Sequence, residues 1–80
     1  MARVAGHPVT GLTAVIEREG DGFVALCPEF DVASQGATVE EARRNLQEAV
    51  ELLLETADQA EITARLRREV YVTQLGVSVG

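Results

Sequence analysis

Carboxylates are the most numerous reactive groups of this sequence, with 13 Asp and Glu residues among 80. Converging carboxylates could hold the two metal ions that clamp an in-line phosphoryl displacement. The first predicted strand has none over residues 12–16, and the last predicted strand, residues 70–79, has none either. We therefore predict no metal site and no metal-dependent catalysis. The acids outside the predicted helices are solvating or capping residues at a strand end, a turn and a loop: Glu17, Glu19, Asp21, Glu29 and Asp31.

The nucleophilic side chains lack the neighbours that would activate them. Cys27 is the single cysteine and has no histidine near it, while the only histidine, His7, stands beside a proline near the start of the chain. A serine or cysteine nucleophile needs an adjacent base. Gly36 precedes a predicted helix but belongs to no glycine cluster of the phosphate-binding kind. We predict no catalytic residue and no cofactor, with Cys27 as a buried small hydrophobe.

Three short strands are predicted in the first half of the chain, after a loose lead-in over residues 1–10. Residues 12–18 are β-branched and partly alternating, residues 23–27 are apolar on both faces, and residues 32–35 form a short third strand. A Gly-rich turn joins the first two segments. Pro28 cannot donate a ladder hydrogen bond, so it ends the second strand. The hairpin connections predict an antiparallel meander.

A long helix is predicted to begin after Thr38. The Thr38 hydroxyl can cap the free amides while Glu41, three residues on, reaches back to the cap amide, which is a capping box. Beyond Ala57 the pattern weakens, and Ile62 with Leu66 predicts a further helical turn or two. The apolar stripe of the long helix recurs at spacings of three and four: Val39, Ala42, Leu46, Ala49, Val50, Leu53, Leu54 and Ala57.

These elements predict an α+β fold of order β-β-β-α-β in a single domain, residues 1–80, with its core in residues 11–80. The last strand, residues 70–79, arrives after a helical crossover and is predicted to lie parallel to strand one, which gives the sheet order 3-2-1-4. The helix would cover one face of the sheet and leave the other to solvent or a partner. The same topology forms the front part of an RNase H-like nuclease fold.

Composition narrows the classes of partner and the cellular location. The formal net charge is −6, and all seven basic residues are Arg. Because phosphate binding requires an excess of cationic side chains, we expect no direct nucleic-acid binding and favour a basic protein partner. No segment has the roughly 20 apolar residues of a membrane span, and the first residues lack a signal peptide, so we expect a cytoplasmic protein.

The chain resembles the HicB family of antitoxins from bacterial toxin-antitoxin pairs. The resemblance covers most of the sequence, and the order and spacing of the matching residues follow the family pattern with few departures. The residues that carry it are Asp21, Gly22, Phe23, Val24, Cys27, Pro28, Glu29, Gln35, Gly36, Ala37, Thr38, Glu40, Glu41, Ala42, Leu46, Glu48 and Ala49.

This resemblance implies a partial RNase H-like fold without nuclease activity. Its function would be to bind and neutralise a small basic toxin of the HicA type, which cleaves mRNA. Many members of the family continue into a DNA-binding segment, whereas this sequence stops at its last predicted strand, so we expect a minimal form without promoter binding of its own. The expected partner-binding residues lie in one loop and one turn: Pro28, Glu29, Phe30, Gln35 and Gly36.

Two assignments stay open among these residues. Phe30 could be an exposed anchor for a partner, or it could plug the end of the core. Pro28 and Gly36 could serve only turn geometry.

Two other functions also stay open. One is a stand-alone structural or small-molecule-binding oligomer, and the other is a small metal-dependent nuclease. We expect a homodimer, because an exposed sheet edge and a small core both favour pairing.

Overall fold

The computed structural model describes residues 11–80, which form three strands followed by two helices. His7 and the lead-in predicted over residues 1–10 lie outside the described residues. The strands precede the helices, so the predicted α+β class is confirmed. The elements are β1 (Val15–Glu19), β2 (Gly22–Cys27), β3 (Val32–Gly36), α1 (Val39–Thr56) and α2 (Gln59–Leu66).

The three strands form the predicted antiparallel meander, in the order β1-β2-β3. Glu19 pairs with Gly22, which leaves a two-residue hairpin loop in which Gly20 has a φ of 60°. Cys27 pairs with Val32 across a four-residue turn, where Asp31 has a φ of 57°. Both turns therefore reverse the chain through a residue in the left-handed region, which Gly and Asp tolerate.

The capping box predicted at Thr38 is confirmed, with one difference of register. The Thr38 hydroxyl accepts a hydrogen bond from the Glu41 amide at 3.0 Å. The Glu41 carboxylate accepts from the amide of Ala37, one residue before the cap. The first bond satisfies an amide that the first helical turn leaves free, and the second ties the residue before the cap to that turn. The cap thereby sets where α1 begins, directly after β3.

The core lies between α1 and the helix-facing side of the sheet. Its buried side chains are small or aliphatic except for one phenylalanine, and half-buried Ile16, Val32 and Leu54 pack around them. Ile62 of α2 is also buried. The predicted stripe of α1 supplies the helix side of this cluster, which comprises Ala25, Cys27, Phe30, Ala42, Leu46 and Val50.

Gly36 marks the closest approach of helix and sheet. A Cβ atom at this position would lie 2.5 Å from the amide nitrogen of Ala42 and 2.8 Å from the carbonyl carbon of Glu41. Both neighbours are helical backbone, which cannot swing aside as a side chain can. Gly36 is therefore required for packing as well as for turn geometry, because no side chain fits between β3 and the first turn of α1.

The prediction of a last strand over residues 70–79 is wrong. Residues 70–79 form no strand, and the sheet of the described residues ends at β1 instead of continuing to a fourth strand. The alternating apolar pattern gives this segment strand propensity, but a strand also needs a hydrogen-bonding partner. Here no such pairing forms, and Tyr71 and Leu75 are 82% and 86% exposed.

No helix between residues 11 and 80 has the length and apolar character needed to cross a membrane.

Replacing Gly36 with alanine tests the close approach of α1 to β3. We expect Gly36→Ala to lower the free energy of unfolding by about 1–3 kcal/mol, because the helix must lift to admit the methyl group. Urea unfolding followed by circular dichroism measures the change. Gly80→Ala is the control, since a Cβ at Gly80 meets no atom within 4 Å. Equal stability of the two variants would contradict the packing role of Gly36.

Candidate partner-binding surface

The turn between β2 and β3 is anchored in the core by Phe30. This side chain is fully buried, so the expectation that Phe30 is an exposed anchor is wrong, and the alternative that it plugs the end of the core is confirmed. Pro28 and Glu29 precede it and are half-buried. The acidic residues around Phe30 suggest a solvent-facing loop, but the turn places the aromatic ring inward and leaves only Asp31 of its two acids exposed.

Glu29 ties this turn to the chain just before β1. Its carboxylate accepts hydrogen bonds from the Thr13 amide at 3.0 Å and from the Thr13 hydroxyl at 2.6 Å. It also accepts from the Cys27 thiol at 3.4 Å. A carboxylate that accepts several short bonds is held in one orientation. Glu29 is therefore committed to an internal clamp and has little capacity left for a partner.

The same contacts change two pKa values. Partial burial acts to raise the pKa of Glu29, but the hydrogen bonds from Thr13 and Cys27 stabilise the ionised form and together lower it. Burial raises the pKa of the Cys27 thiol, and the neighbouring Glu29 carboxylate adds to the increase. At neutral pH the carboxylate is thus charged and the thiol is neutral, which suits a donor-acceptor pair of this kind.

A second tie comes from α2. The Arg65 guanidinium donates a hydrogen bond to the backbone carbonyl of Phe30. It also lies 3.1 Å from the carboxylate of Glu61, one turn earlier on the same helix. Together with the Thr13 clamp, this contact fixes the turn from two sides. The turn is consequently a rigid corner of the fold.

Gln35 and Gly36 lie at the other end of β3 from this turn. Gln35 lies four positions beyond Asp31 along the strand, which corresponds to about 13 Å. The structure therefore brings Pro28, Glu29 and Phe30 together but does not bring Gln35 and Gly36 to them. Of the five predicted residues only Gln35 is exposed, and its backbone carbonyl accepts a hydrogen bond from the Asn45 side chain at 2.8 Å.

The side chain of Gln35 belongs to the sheet face that α1 does not cover. On β3 the residues that face the helix are the half-buried ones, and Ala33 and Gln35 alternate with them on the exposed side. The strand register places six residues in two rows across this face. We call it the open face: one row is Val15, Leu26 and Ala33, and the other is Glu17, Val24 and Gln35.

The open face combines an apolar centre with polar ends. Val15 and Leu26 are 37% and 36% exposed, large values for apolar side chains of a sheet. Glu17 and Gln35 stand at the two edges of the second row. An apolar centre with a polar rim is the arrangement common to protein interfaces. The open face is thus a candidate surface for contact with another protein.

Sequence reasoning predicted that one sheet face would be left free, but it named only Gln35 upon it. The signal for the others was present in the alternation of β2, where Val24 and Leu26 point away from Ala25 and Cys27. A large aromatic residue in an acidic loop is typical of interfaces, which favours the loop residues from the sequence alone. Their chemistry is explained by the internal clamp and the core.

A groove of about 590 Å³ lies between residues 11–14, which precede β1, and α1. The residues just before β1 form one wall and the helix forms the other, with Arg43 and Glu51 at its rim. Its apolar lining extends the core toward solvent. The lining includes Leu12, Thr13, Ala14, Leu46, Val50 and Leu54.

Within residues 11–80, no group of three His, Cys, Asp or Glu side chains is arranged to hold a metal ion.

Two bacterial proteins are similar in sequence to this chain. A UPF0150 protein of Helicobacter pylori (strain J99) is 31% identical over 68 residues, which cover 84% of this chain and 94% of that protein. A UPF0150 protein of Synechocystis (strain PCC 6803) is 46% identical over 46 residues, or 55% of this chain. The chain spans 64% of the length of the Synechocystis protein, less than two thirds.

No family model matches the sequence, and no solved structure matches it.

Glu29→Gln tests the clamp through its pH dependence. A carboxyl group with a lowered folded-state pKa stabilises the fold above its ordinary value of about 4.3, and this contribution is lost as the pH falls through the lowered value. We therefore expect the variant to be less stable than the parent by about 1 kcal/mol at pH 7. The difference should shrink as the pH falls below about 4.

Urea unfolding between pH 7 and pH 3 measures this difference. Glu48→Gln is the matched control, since it removes the same charge from an exposed position on α1. A Glu29→Gln penalty that is the same at every pH would contradict a clamp based on the ionised carboxylate.

Proposed function

Because this chain belongs to the UPF0150 family, we propose that it is a HicB-like antitoxin that binds and neutralises a small basic toxin of the HicA type. The observation that carries the proposal is the run of matching residues between Asp21 and Ala49, in which turns and the helix cap recur in the HicB order. In this role the protein is not an enzyme. It would act in the cytoplasm, where it covers the mRNA-cleaving surface of the toxin.

Charge supports a basic protein partner. The net charge is −6, and the exposed carboxylates include Glu17 and Glu19 on β1. Opposite net charges speed the encounter of two proteins and reduce competing contacts with RNA. A toxin that binds mRNA must carry cationic side chains, so the same groups that attract RNA would attract this chain. Neutralisation then follows from occupation of the surface, with no chemical step.

The open face supplies a suitable contact area. Its apolar row of Val15, Leu26 and Ala33 could be buried against the toxin, and Glu17 could pair with a cation at the rim. Gln35 is the one originally predicted site residue that takes part directly. Pro28, Glu29, Phe30 and Gly36 would contribute by holding the sheet and the turn in shape.

A second candidate is a small-molecule-binding oligomer without a toxin partner. The groove between residues 11–14 and α1 favours this second function, because its volume of about 590 Å³ falls in the range of ligand pockets. The acidic surface gives this alternative no particular support. The antitoxin function requires a toxin that binds this chain, whereas the small-molecule-binding function does not. A test of toxin binding therefore separates the two.

The antitoxin function is tested by co-expression with any small basic protein that the neighbouring open reading frame encodes. We expect the two proteins to purify together and the pair to lack the growth inhibition and mRNA cleavage of the toxin alone. Failure of the pair to associate would overturn the proposal.

Leu26→Lys locates the interface on the open face. It places a cation in the centre of that face, so we expect toxin binding to weaken at least about tenfold. Leu52→Lys is the matched control, because it changes net charge equally at an exposed leucine of α1. Binding constants from titration calorimetry decide the matter. Equal weakening by both variants would mean that overall charge, and not the open face, determines binding.

A further inference from the structure

The segment from Val70 to Val79 exposes a run of apolar side chains that no other element of the described chain covers. Residues 71–80 are all exposed, including Tyr71 at 82%, Leu75 at 86% and Val79 at 95%. Single exposed apolar residues are common on proteins, but a contiguous stretch of them marks an interaction site. We call residues 70–79 the C-terminal segment.

The sequence of this segment suits a strand that joins another sheet. Tyr71, Thr73, Leu75, Val77 and Val79 alternate along it and would share one face of a strand. Residues 70–80 contain no charged side chain. Two chains that each carry a net charge of −6 repel one another, so an uncharged stretch is the part that one copy can bring close to the other at the lowest electrostatic cost.

The acceptor for such a strand is the free edge of β1. In the described residues β1 pairs only with β2, which leaves its other edge unpaired. Residues 12–16, which include the first two residues of β1, are also uncharged. The groove of about 590 Å³ begins at residues 11–14, directly before β1, with Leu46, Val50 and Leu54 on its helical wall. A strand that pairs with β1 and continues along residues 12–14 would lay alternate side chains into that groove.

We propose that the C-terminal segment of one copy adds to the β1 edge of a second copy as a fourth strand, and that the exchange is reciprocal. Edge-strand addition supplies main-chain hydrogen bonds, and the groove supplies pockets for alternate side chains. In the structure the segment forms no strand in the sheet of its own chain. A two-fold symmetric dimer would bury both segments and both grooves at once.

Full-length protein in solution gives the first test. The exchange predicts twice the monomer mass of 8.6 kDa by light scattering. Leu75→Asp should raise the dimer dissociation constant at least about a hundredfold, because each dimer loses two buried leucine contacts. Leu52→Asp makes the same change at an exposed leucine of α1 and should leave the constant unchanged. A dimer sensitive to Leu52→Asp but not to Leu75→Asp would overturn the proposal.

Cross-linking distinguishes exchange from folding of the segment onto its own chain. In a Cys27→Ala background, Leu75→Cys and Ala14→Cys are made in separate chains of different tag length, mixed, and treated with a short bismaleimide. The exchange predicts covalent heterodimers. A chain that carries both cysteines but cross-links only within itself, at monomer mass, would overturn the proposal. Because no toxin is involved, these outcomes are independent of the antitoxin test.

Discussion

The contact of α1 with β3 at Gly36 is the constraint on which the rest of the structure depends. The sheet has three short strands, and α1 covers most of its apolar face. The helix must therefore lie close enough for Ala42, Leu46 and Val50 to reach the side chains of β2. A glycine at the end of β3 and a cap at Thr38 allow that approach within two residues of chain. Any side chain at this point would separate the two layers and open a core of seven buried residues.

The turn at the other end of β3 performs the complementary task. Phe30 closes the core, Glu29 connects the turn to Thr13, and Arg65 connects it to α2. The residues that resemble the HicB pattern thus fall into two groups with different physical roles. Those of the turn and the cap maintain the fold, and the open face, of which Gln35 is part, is free to contact a partner. A pattern shared within a family can record the requirements of folding as strongly as those of binding.

Local signals made much of this structure predictable. The hairpin glycines, Pro28, the capping box at Thr38 and the stripe of α1 each act over a few residues, and β1, β2, β3 and α1 appear close to where they were expected. The last strand was not predictable in the same way, because alternation gives propensity whereas pairing depends on residues far apart in the chain. The candidate site was predicted in part. Gln35 and the free sheet face were anticipated, but the inward rotation of Phe30 depends on tertiary packing that its neighbours in sequence do not encode.

Cys27 gives this small fold a built-in reporter. Its thiol is almost fully buried, donates a hydrogen bond to Glu29 and has a raised pKa. An alkylating reagent, which reacts with the thiolate, therefore labels Cys27 very slowly while β2 stays packed. Because it is the only cysteine of the chain, any labelling comes from molecules in which the core beneath α1 has opened. The rate of labelling therefore measures the free energy of that opening without an added probe. It would show how firmly the helix is held in the free protein and in a complex.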